Sequence, residues 1–269
     1  MNVLNTKLGR LELRNPVLGA SGCTGYGYEL KDHTNLAYYG AVTLKTVTYT
    51  PRNGNPPPRV SEVPAGLISS IGLQNPGPDV FIEEMMPKVL GVLDKDQIIV
   101  SIGANTIDEY TELGQRIFQR YGGQIAALEI NAACPNVKFG VGYFSRDPDA
   151  AYDLIKSVKS TVSLPILFKF STNFENYLEV AAAIDEAGVD ALYTTNTPLG
   201  LKIDIKSKRP ALGNVVGPIC GPAIRPIGML RTWNLYKTVR MPIIASGGVY
   251  TWEDALEYML AGATAVGVG

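Results

Sequence analysis

Two lysines and a cysteine stand where short apolar runs of the sequence end. These residues are the strongest candidates in the chain for binding charge and for catalysis. Lys45 and Lys169 each close such a run, and Cys134 follows another within the polar segment NAACPN. A buried ammonium group needs an anionic or electron-rich partner to offset its loss of water. The two lysines therefore predict a bound anion or cofactor.

Glycine pairs late in the chain predict the chemistry of that ligand. The segments ASGGV and VGVG place Gly247, Gly248 and Gly269 at strand ends, where barrel enzymes bind phosphate through backbone N–H groups. A tight turn is the structural alternative for such a pair. Phosphate together with strand-end lysines suits FMN, because a lysine stabilises the negative charge that a reduced flavin carries on its N1/C2-carbonyl edge.

Cys134 is the candidate base. It stands beside Asn131, Asn136 and Lys138 in a segment too polar and proline-restricted for a core, so it suits deprotonation of a carbon acid. A small buried hydrophobe is the alternative for any free cysteine. Cys23 and Cys220 lack such a polar neighbourhood.

The residue inventory excludes several classes of protein. His33 is the only histidine, which rules out a Ser-His-Asp hydrolase, an HExxH protease and a multi-histidine metal site, and we predict no metal. Three widely spaced cysteines indicate a reducing, cytoplasmic compartment. The chain has 24 Lys and Arg residues against 25 Asp and Glu residues, so it lacks the overall positive charge that is typical of a nucleic-acid-binding protein. We find no signal peptide and no apolar run long enough for a membrane span.

The elements that must position these residues alternate between short apolar runs and longer amphipathic segments, which is typical of parallel strands joined by helices. Strands are predicted at 15–20, 41–47, 97–103, 126–131, 165–171, 189–196, 242–246 and 264–269. Helices are predicted at 29–39, 79–93, 107–121, 148–162, 174–187, 225–239 and 252–261. We interpret this as one (β/α)8 TIM barrel domain over 1–269 that lacks its final helix, with a doubly wound open sheet as the alternative.

Two connections are too long for simple turns between a strand and a helix. Residues 48–78 and 198–222 both follow strands, so a barrel places them on the catalytic face. Solvated insertions without function are the alternative interpretation.

The chain resembles the FMN-containing catalytic subunit of the class 1 dihydroorotate dehydrogenases over nearly its whole length. The matching segments are NPVLGASG at 15–22, VTLKTVT at 42–48, GNPPPRVSEVPAGL at 54–67, SIGLQNPG at 70–77, EINAACPNVKFG at 130–140, LFKFSTN at 167–173, TTNTPLG at 194–200 and CGPAIRPI at 220–227. NPPPRV and CPNVK are similar to the class 1B branch. That resemblance implies a cytoplasmic enzyme of pyrimidine biosynthesis, a homodimer, and an electron-transfer partner that carries an iron–sulfur cluster and FAD and passes electrons to NAD.

The resemblance also implies roles for individual residues. Cys134 takes a proton from C5 of dihydroorotate while a hydride leaves C6 for flavin N5, which gives orotate. The implied cofactor-binding residues are Ala20, Ser21, Lys45, Thr46, Asn131, Lys169, Gly221, Gly247, Gly248 and Gly269. The implied substrate-binding residues are Lys45, Ser69, Ile71, Gly72, Leu73, Asn131, Asn136, Asn196 and Thr197.

Ser69 departs from the family pattern, which has asparagine at this position. Serine is shorter and lacks the paired donor and acceptor of an amide. The same flavin chemistry on a different dihydropyrimidine or related compound is therefore an alternative to dihydroorotate oxidation. Two further alternatives are a Schiff-base lyase that uses Lys169 and a non-catalytic barrel subunit.

Overall fold

A computed structural model describes residues 3–133, 142–194 and 196–269 of the chain. Its strands are β1 (Thr6–Leu8), β2 (Leu11–Leu13), β3 (Val17–Gly19), β4 (Ala41–Thr43), β5 (Val47–Thr48), β6 (Val60–Val63), β7 (Gly66–Ser69), β8 (Ile98–Gly103), β9 (Ala127–Asn131), β10 (Ile166–Lys169), β11 (Ala191–Thr194), β12 (Leu199–Leu201), β13 (Ile203–Asp204), β14 (Arg209–Pro210), β15 (Val216–Cys220), β16 (Ile243–Ser246) and β17 (Ala265–Val268). Its α-helices are α1 (Pro78–Val80), α2 (Met86–Leu90), α3 (Ile107–Tyr121), α4 (Pro148–Thr161), α5 (Tyr177–Ala187), α6 (Arg225–Tyr236) and α7 (Trp252–Leu260).

Eight parallel strands close into a barrel. Their order is β4, β3, β17, β16, β11, β10, β9 and β8, and β8 pairs back with β4. The pairing confirms the predicted TIM barrel and excludes the open sheet. Strands of this kind are buried on both faces, which explains their continuous apolar sequences. Alternate side chains form two cores, one inside the barrel and one between the strands and the helices.

A short hairpin closes the amino-terminal end of the barrel. Strands β1 and β2 pair antiparallel, and Leu8, Leu11 and Leu13 are buried with the interior side chains of the barrel. In the hairpin turn, the Arg10 guanidinium forms two hydrogen bonds of 2.9 Å with the Asp190 carboxylate, one to each oxygen. The hairpin is thereby fixed to the strand that begins just after Asp190.

The predicted helices are confirmed except the first. Helix α3 has the predicted bounds, and Thr106 caps it by accepting the N–H of Glu109 at 3.2 Å. Over 79–93, a π-helical turn at Phe81–Met85 separates α1 from α2. The predicted helix at 29–39 is wrong, because this segment forms only the 3-10 turns Tyr28–Leu30 and Leu36–Tyr38. Asn35 explains the second turn, since its side chain accepts the N–H of Ala37 in competition with helix formation.

The two long connections meet in a small antiparallel sheet above the barrel. Its strand order is β12, β15, β7 and β6, so each connection contributes two strands. The two connections are joined by the pairing of β7 with β15, in which Ile68 lies opposite Ile219 and Leu67 lies opposite Cys220. A separate exposed hairpin, β13 and β14, projects from the second connection.

None of the helices in the described part of the chain combines the length and the apolar character needed to cross a bilayer.

Candidate active site

The carboxyl ends of the barrel strands bring together the site residues that the sequence predicts. Ala20, Asn131, Lys169, Gly247 and Gly269 each end a barrel strand or directly follow one. Lys45 and Thr46 lie between β4 and β5, Ser21 follows Ala20, Gly248 follows Gly247, and Asn196 and Thr197 follow β11. Cys134 and Asn136 lie outside the described residues. In a TIM barrel this end carries the catalytic groups.

Four polar side chains form one hydrogen-bonded network across the strand ends. The Thr46 hydroxyl lies 3.1 Å from the Ser21 hydroxyl and 2.9 Å from the Ser101 hydroxyl. It also accepts a hydrogen bond of 2.9 Å from the Asn131 side-chain amide. Thr46 and Ser101 are fully buried, so the bonds of Thr46 with Ser101 and Asn131 form away from water. The network fixes the rotamer of Asn131 and links four barrel strands, β3, β4, β8 and β9, or the segments that follow them.

Asn131 also organises the segment that leads to Cys134. Its side-chain oxygen accepts the N–H of Ala133 at 3.3 Å, and its own carbonyl accepts the Tyr110 hydroxyl at 2.8 Å. The Asn196 amide donates to the Ala133 carbonyl at 3.1 Å. Two of the predicted substrate asparagines therefore hold the residue immediately before the candidate base.

Lys169 lies over an aromatic ring inside the barrel. Its Nζ is 4.9 Å from the centroid of the Tyr193 ring, a cation–π contact. Glu129, on the neighbouring strand β9, also faces the interior and is fully buried. Burial raises the pKa of Glu129, while the positive charge of Lys169 and the nearby Ser101 hydroxyl lower it. Burial likewise raises the pKa of Tyr193, so that hydroxyl keeps its proton. This layer supplies a cation directly below the strand ends.

Three glycines form a cradle at the ends of β15 and β16. Gly221, Gly247 and Gly248 all have positive φ, at 106°, 111° and 73°. A Cβ on Gly248 would lie 2.9 Å from the Gly221 carbonyl oxygen, so a larger residue does not fit. Among the described residues, the amide of Gly248 donates no hydrogen bond, whereas Gly247 directly follows the last paired residue of β16. Phosphate groups are commonly bound by backbone N–H groups that have no partner within the protein, in glycine-rich segments where no side chain blocks the approach.

The segment from Ser69 to Leu73 runs from the small sheet toward the barrel. Gly72 and Leu73 have positive φ, at 76° and 52°. The Asn75 side chain holds this segment by donating to the Leu73 carbonyl at 2.8 Å and to the Thr48 hydroxyl at 2.7 Å. Asn75 therefore anchors Leu73, the last residue of this segment, to the end of β5.

Sequence reasoning missed Ser101, Glu129 and Asn75 as parts of this site. Ser101 and Glu129 interrupt apolar strands, which is the signal that could have found them, since buried polar groups need partners. Asn75 lies in a loop rich in glycine and proline, where asparagine is an ordinary turn residue and carries no distinguishing signal.

Comparisons with known proteins agree with this architecture. A relative from Desulforamulus reducens, named dihydroorotate dehydrogenase B (NAD(+)), catalytic subunit, is 43% identical over 266 residues, which cover 99% of this chain and 86% of the relative. A relative of the same name from Desulforudis audaxviator is 45% identical over 259 residues, covering 96% of this chain and 83% of the relative.

A solved structure shows the same fold at low sequence identity. The dihydroorotate dehydrogenase of Eimeria tenella, crystallised with ferulenol, superposes with a TM-score of 0.78 at 23% identity, covering 99% of this chain and 78% of that one. The sequence model of the family described as dihydroorotate dehydrogenase matches residues 3–269. On this match and on the two relatives, the chain belongs to the dihydroorotate dehydrogenase family.

Proposed function

We propose that this chain is the catalytic subunit of a dihydroorotate dehydrogenase that uses bound FMN to oxidise dihydroorotate to orotate in pyrimidine biosynthesis. The observation that carries the proposal is the meeting of a cation, a polar network and a glycine cradle at one barrel end, in a chain that matches the family over residues 3–269. The match over nearly the whole chain does not favour a lyase, another substrate or a non-catalytic barrel.

The residues present fit FMN. In the cradle of Gly221, Gly247 and Gly248, a Cβ on Gly221 or Gly248 would lie within 3.0 Å of backbone atoms, and the Gly248 amide is unbonded and can donate to the phosphate. Lys169 provides positive charge for the pyrimidine edge of the flavin. The remaining residues proposed to contact the cofactor are Ala20, Ser21, Lys45, Thr46, Asn131 and Gly269. When bound, FMN supplies the acceptor for the hydride from C6 of the substrate.

The protein side chains bind the substrate and move its proton. Asn131, Asn136, Asn196 and Thr197 hold the pyrimidine, because side-chain amides donate and accept hydrogen bonds together. Lys45, Ser69 and the segment Ile71–Leu73 complete the proposed contacts with the substrate. Cys134, as the thiolate, takes the proton from C5, and the buried network through Thr46 keeps Asn131 aligned for this step.

Partners and location are part of the same proposal. The relatives are named as catalytic subunits, which implies another subunit in their enzymes. We propose that this chain forms a homodimer and works with an electron-transfer subunit that carries an iron–sulfur cluster and FAD and reduces NAD. Exposed apolar side chains on the small sheet, including Leu199, Leu201 and Val216, support a protein contact there. We also propose that residues 1–269 form one domain. The cysteine content supports a cytoplasmic location, which we propose as well.

An anaerobic titration of the yellow protein with dihydroorotate tests the function. Loss of the oxidised-flavin absorbance with dihydroorotate supports the proposal. A flavin that stays oxidised with dihydroorotate but bleaches with dithionite contradicts the substrate and leaves an intact redox centre.

Gly248→Ala is expected to weaken FMN binding by about tenfold or more, because φ at this position suits glycine and the added Cβ meets the Gly221 carbonyl. Equilibrium titration of the flavin-free protein measures the effect. Gly123→Ala is the matched control, since a Cβ there has nothing within 4 Å. Equal affinities in the parent and Gly248→Ala would exclude the cradle as the phosphate site.

Ser69→Asn is expected to raise kcat/KM for dihydroorotate by about tenfold, because an amide restores a paired donor and acceptor toward the pyrimidine. Steady-state kinetics with dihydroorotate measure this, and Ser61→Asn, on the adjacent strand β6, is the control. An unchanged or lower kcat/KM would show that the substrate does not contact position 69 in this way.

A further inference from the structure

Tyr258 links helix α7 to the glycine cradle through its hydroxyl group. The residue is fully buried, and its Oη donates a hydrogen bond of 2.8 Å to the carbonyl of Gly247. The carbonyls of Ser246 and Arg225 lie farther away, each at 3.4 Å. A hydroxyl has one proton to donate, so the short contact with Gly247 is the principal bond. One side chain thus touches both chain segments that border the cradle.

Gly228 makes room for this hydroxyl. It lies inside α6, where glycine is unfavourable for the helix. A Cβ at position 228 would lie 2.1 Å from the Tyr258 Oη but 3.2 Å from its Cζ, so the space is used by the oxygen more than by the ring. Gly228 and Tyr258 are therefore complementary, since the hydroxyl occupies the space that a side chain at position 228 would need.

The bond to the Gly247 carbonyl determines where the next amide points. The peptide between Gly247 and Gly248 is trans. Its C=O and N–H bonds therefore lie in one plane and point in opposite directions. Holding the carbonyl toward Tyr258 directs the Gly248 N–H away from α7. Among the described residues that N–H donates no hydrogen bond. Burial raises the pKa of Tyr258, although Arg225 lowers it, so the hydroxyl stays a donor at neutral pH.

We propose that Tyr258 is a positioning residue that orients the Gly248 N–H toward the phosphate group of the cofactor, and so gives the site its affinity for a phosphate monoester. The inference rests on the proposed function, because it assigns FMN to the cradle. It concerns the phosphate alone and not the flavin ring. Removing the hydroxyl therefore weakens binding of FMN and leaves binding of riboflavin unchanged.

The test compares FMN with riboflavin on the flavin-free protein and its Tyr258→Phe variant. We expect the Kd for FMN to rise about tenfold and the Kd for riboflavin to stay within about twofold. Tyr236→Phe, whose side chain is exposed on α6, is the control and is expected to match the parent. Equal weakening of both ligands, or no weakening of either, would overturn the proposal, because a packing role affects both alike.

A second variant changes the residue that packs against the Tyr258 hydroxyl instead of Tyr258 itself. Gly228→Ala retains Tyr258 but displaces its oxygen, and it is expected to give the same selective loss of FMN affinity. It therefore decides the question if Tyr258→Phe does not fold.

Inorganic phosphate separates this inference from the proposed function. In ¹⁵N-labelled parent protein, phosphate is expected to shift the Gly248 amide resonance, and Tyr258→Phe is expected to reduce that shift. If the parent binds neither flavin but shows this difference with phosphate, the FMN assignment fails and the role of Tyr258 stands. An identical response in both proteins, or none in the parent, rejects the role of Tyr258.

Discussion

Cys134→Ser is expected to lower the rate of flavin reduction by dihydroorotate by about 10²–10⁴-fold, while FMN stays bound. A serine hydroxyl is a far weaker base than a thiolate, so the C5 proton is no longer removed efficiently. The lysine and the cradle remain in place, so the spectrum of the oxidised flavin is expected to match the parent. Anaerobic stopped-flow absorbance measures the rate directly.

Cys220→Ser is the matched control for that experiment. Cys220 lies at the end of β15, and its thiol makes only a weak contact of 3.6 Å with the Leu67 carbonyl. Burial raises the pKa of Cys220, so it is a poor source of thiolate. We expect the control to reduce its flavin at the parental rate. A parental rate in Cys134→Ser, or a comparable loss in Cys220→Ser, would contradict the assignment of the base.

Asp190→Ala is expected to lower the free energy of unfolding by about 3 kcal/mol. The carboxylate accepts two hydrogen bonds from the Arg10 guanidinium, one of 2.8 Å from the Arg10 N–H and one of 2.8 Å from the Ile166 N–H. Alanine leaves these donors without their partner at the closed end of the barrel. Urea denaturation measures the change. Asp96→Ala is the control, since its ion pair with Arg14 is exposed and is expected to contribute less than about 1 kcal/mol.

The same carboxylate predicts how stability depends on pH. Burial alone would raise the pKa of Asp190, but the hydrogen bonds from Arg10 and from the Ile166 amide hold it below its usual value. Its contribution is therefore complete above the pKa of an unfolded aspartate, about 3.9, and is lost as the pH falls through the lower folded value. Asp190→Asn is expected to flatten the stability curve in this acid range. A parent and variant with parallel curves would contradict the assignment.

The barrel could be predicted from the sequence because its signal is local. Strand β8, IIVSIG, is buried at every position, and such runs recur between amphipathic segments. Helix α3 has the predicted bounds because a threonine cap precedes it. The site could be predicted in part for the same reason, since strand ends locate Lys169 and Asn131 without knowledge of the fold.

Contacts between distant segments could not be predicted in this way. The small sheet pairs β7 with β15, and no local pattern in either connection indicates that partner. Glu129 is separated from Lys169 along the chain, and only the neighbouring positions of β9 and β10 show that their charges interact. Tyr258 resembles an ordinary core residue of an amphipathic helix until the Gly247 carbonyl is placed against its hydroxyl.

The paired strands and the exposed hairpin of the two long connections differ in their tolerance to a change of length. The paired strands β7 and β15 hold Ser69 and Gly221 in one register, and a one-residue insertion in either strand turns every following side chain to the opposite face. The hairpin of β13 and β14 is exposed, and its two strands pair with each other. We therefore expect inserted peptides and affinity tags to be accommodated at 205–208, and insertions in the strands beside the site to disrupt it.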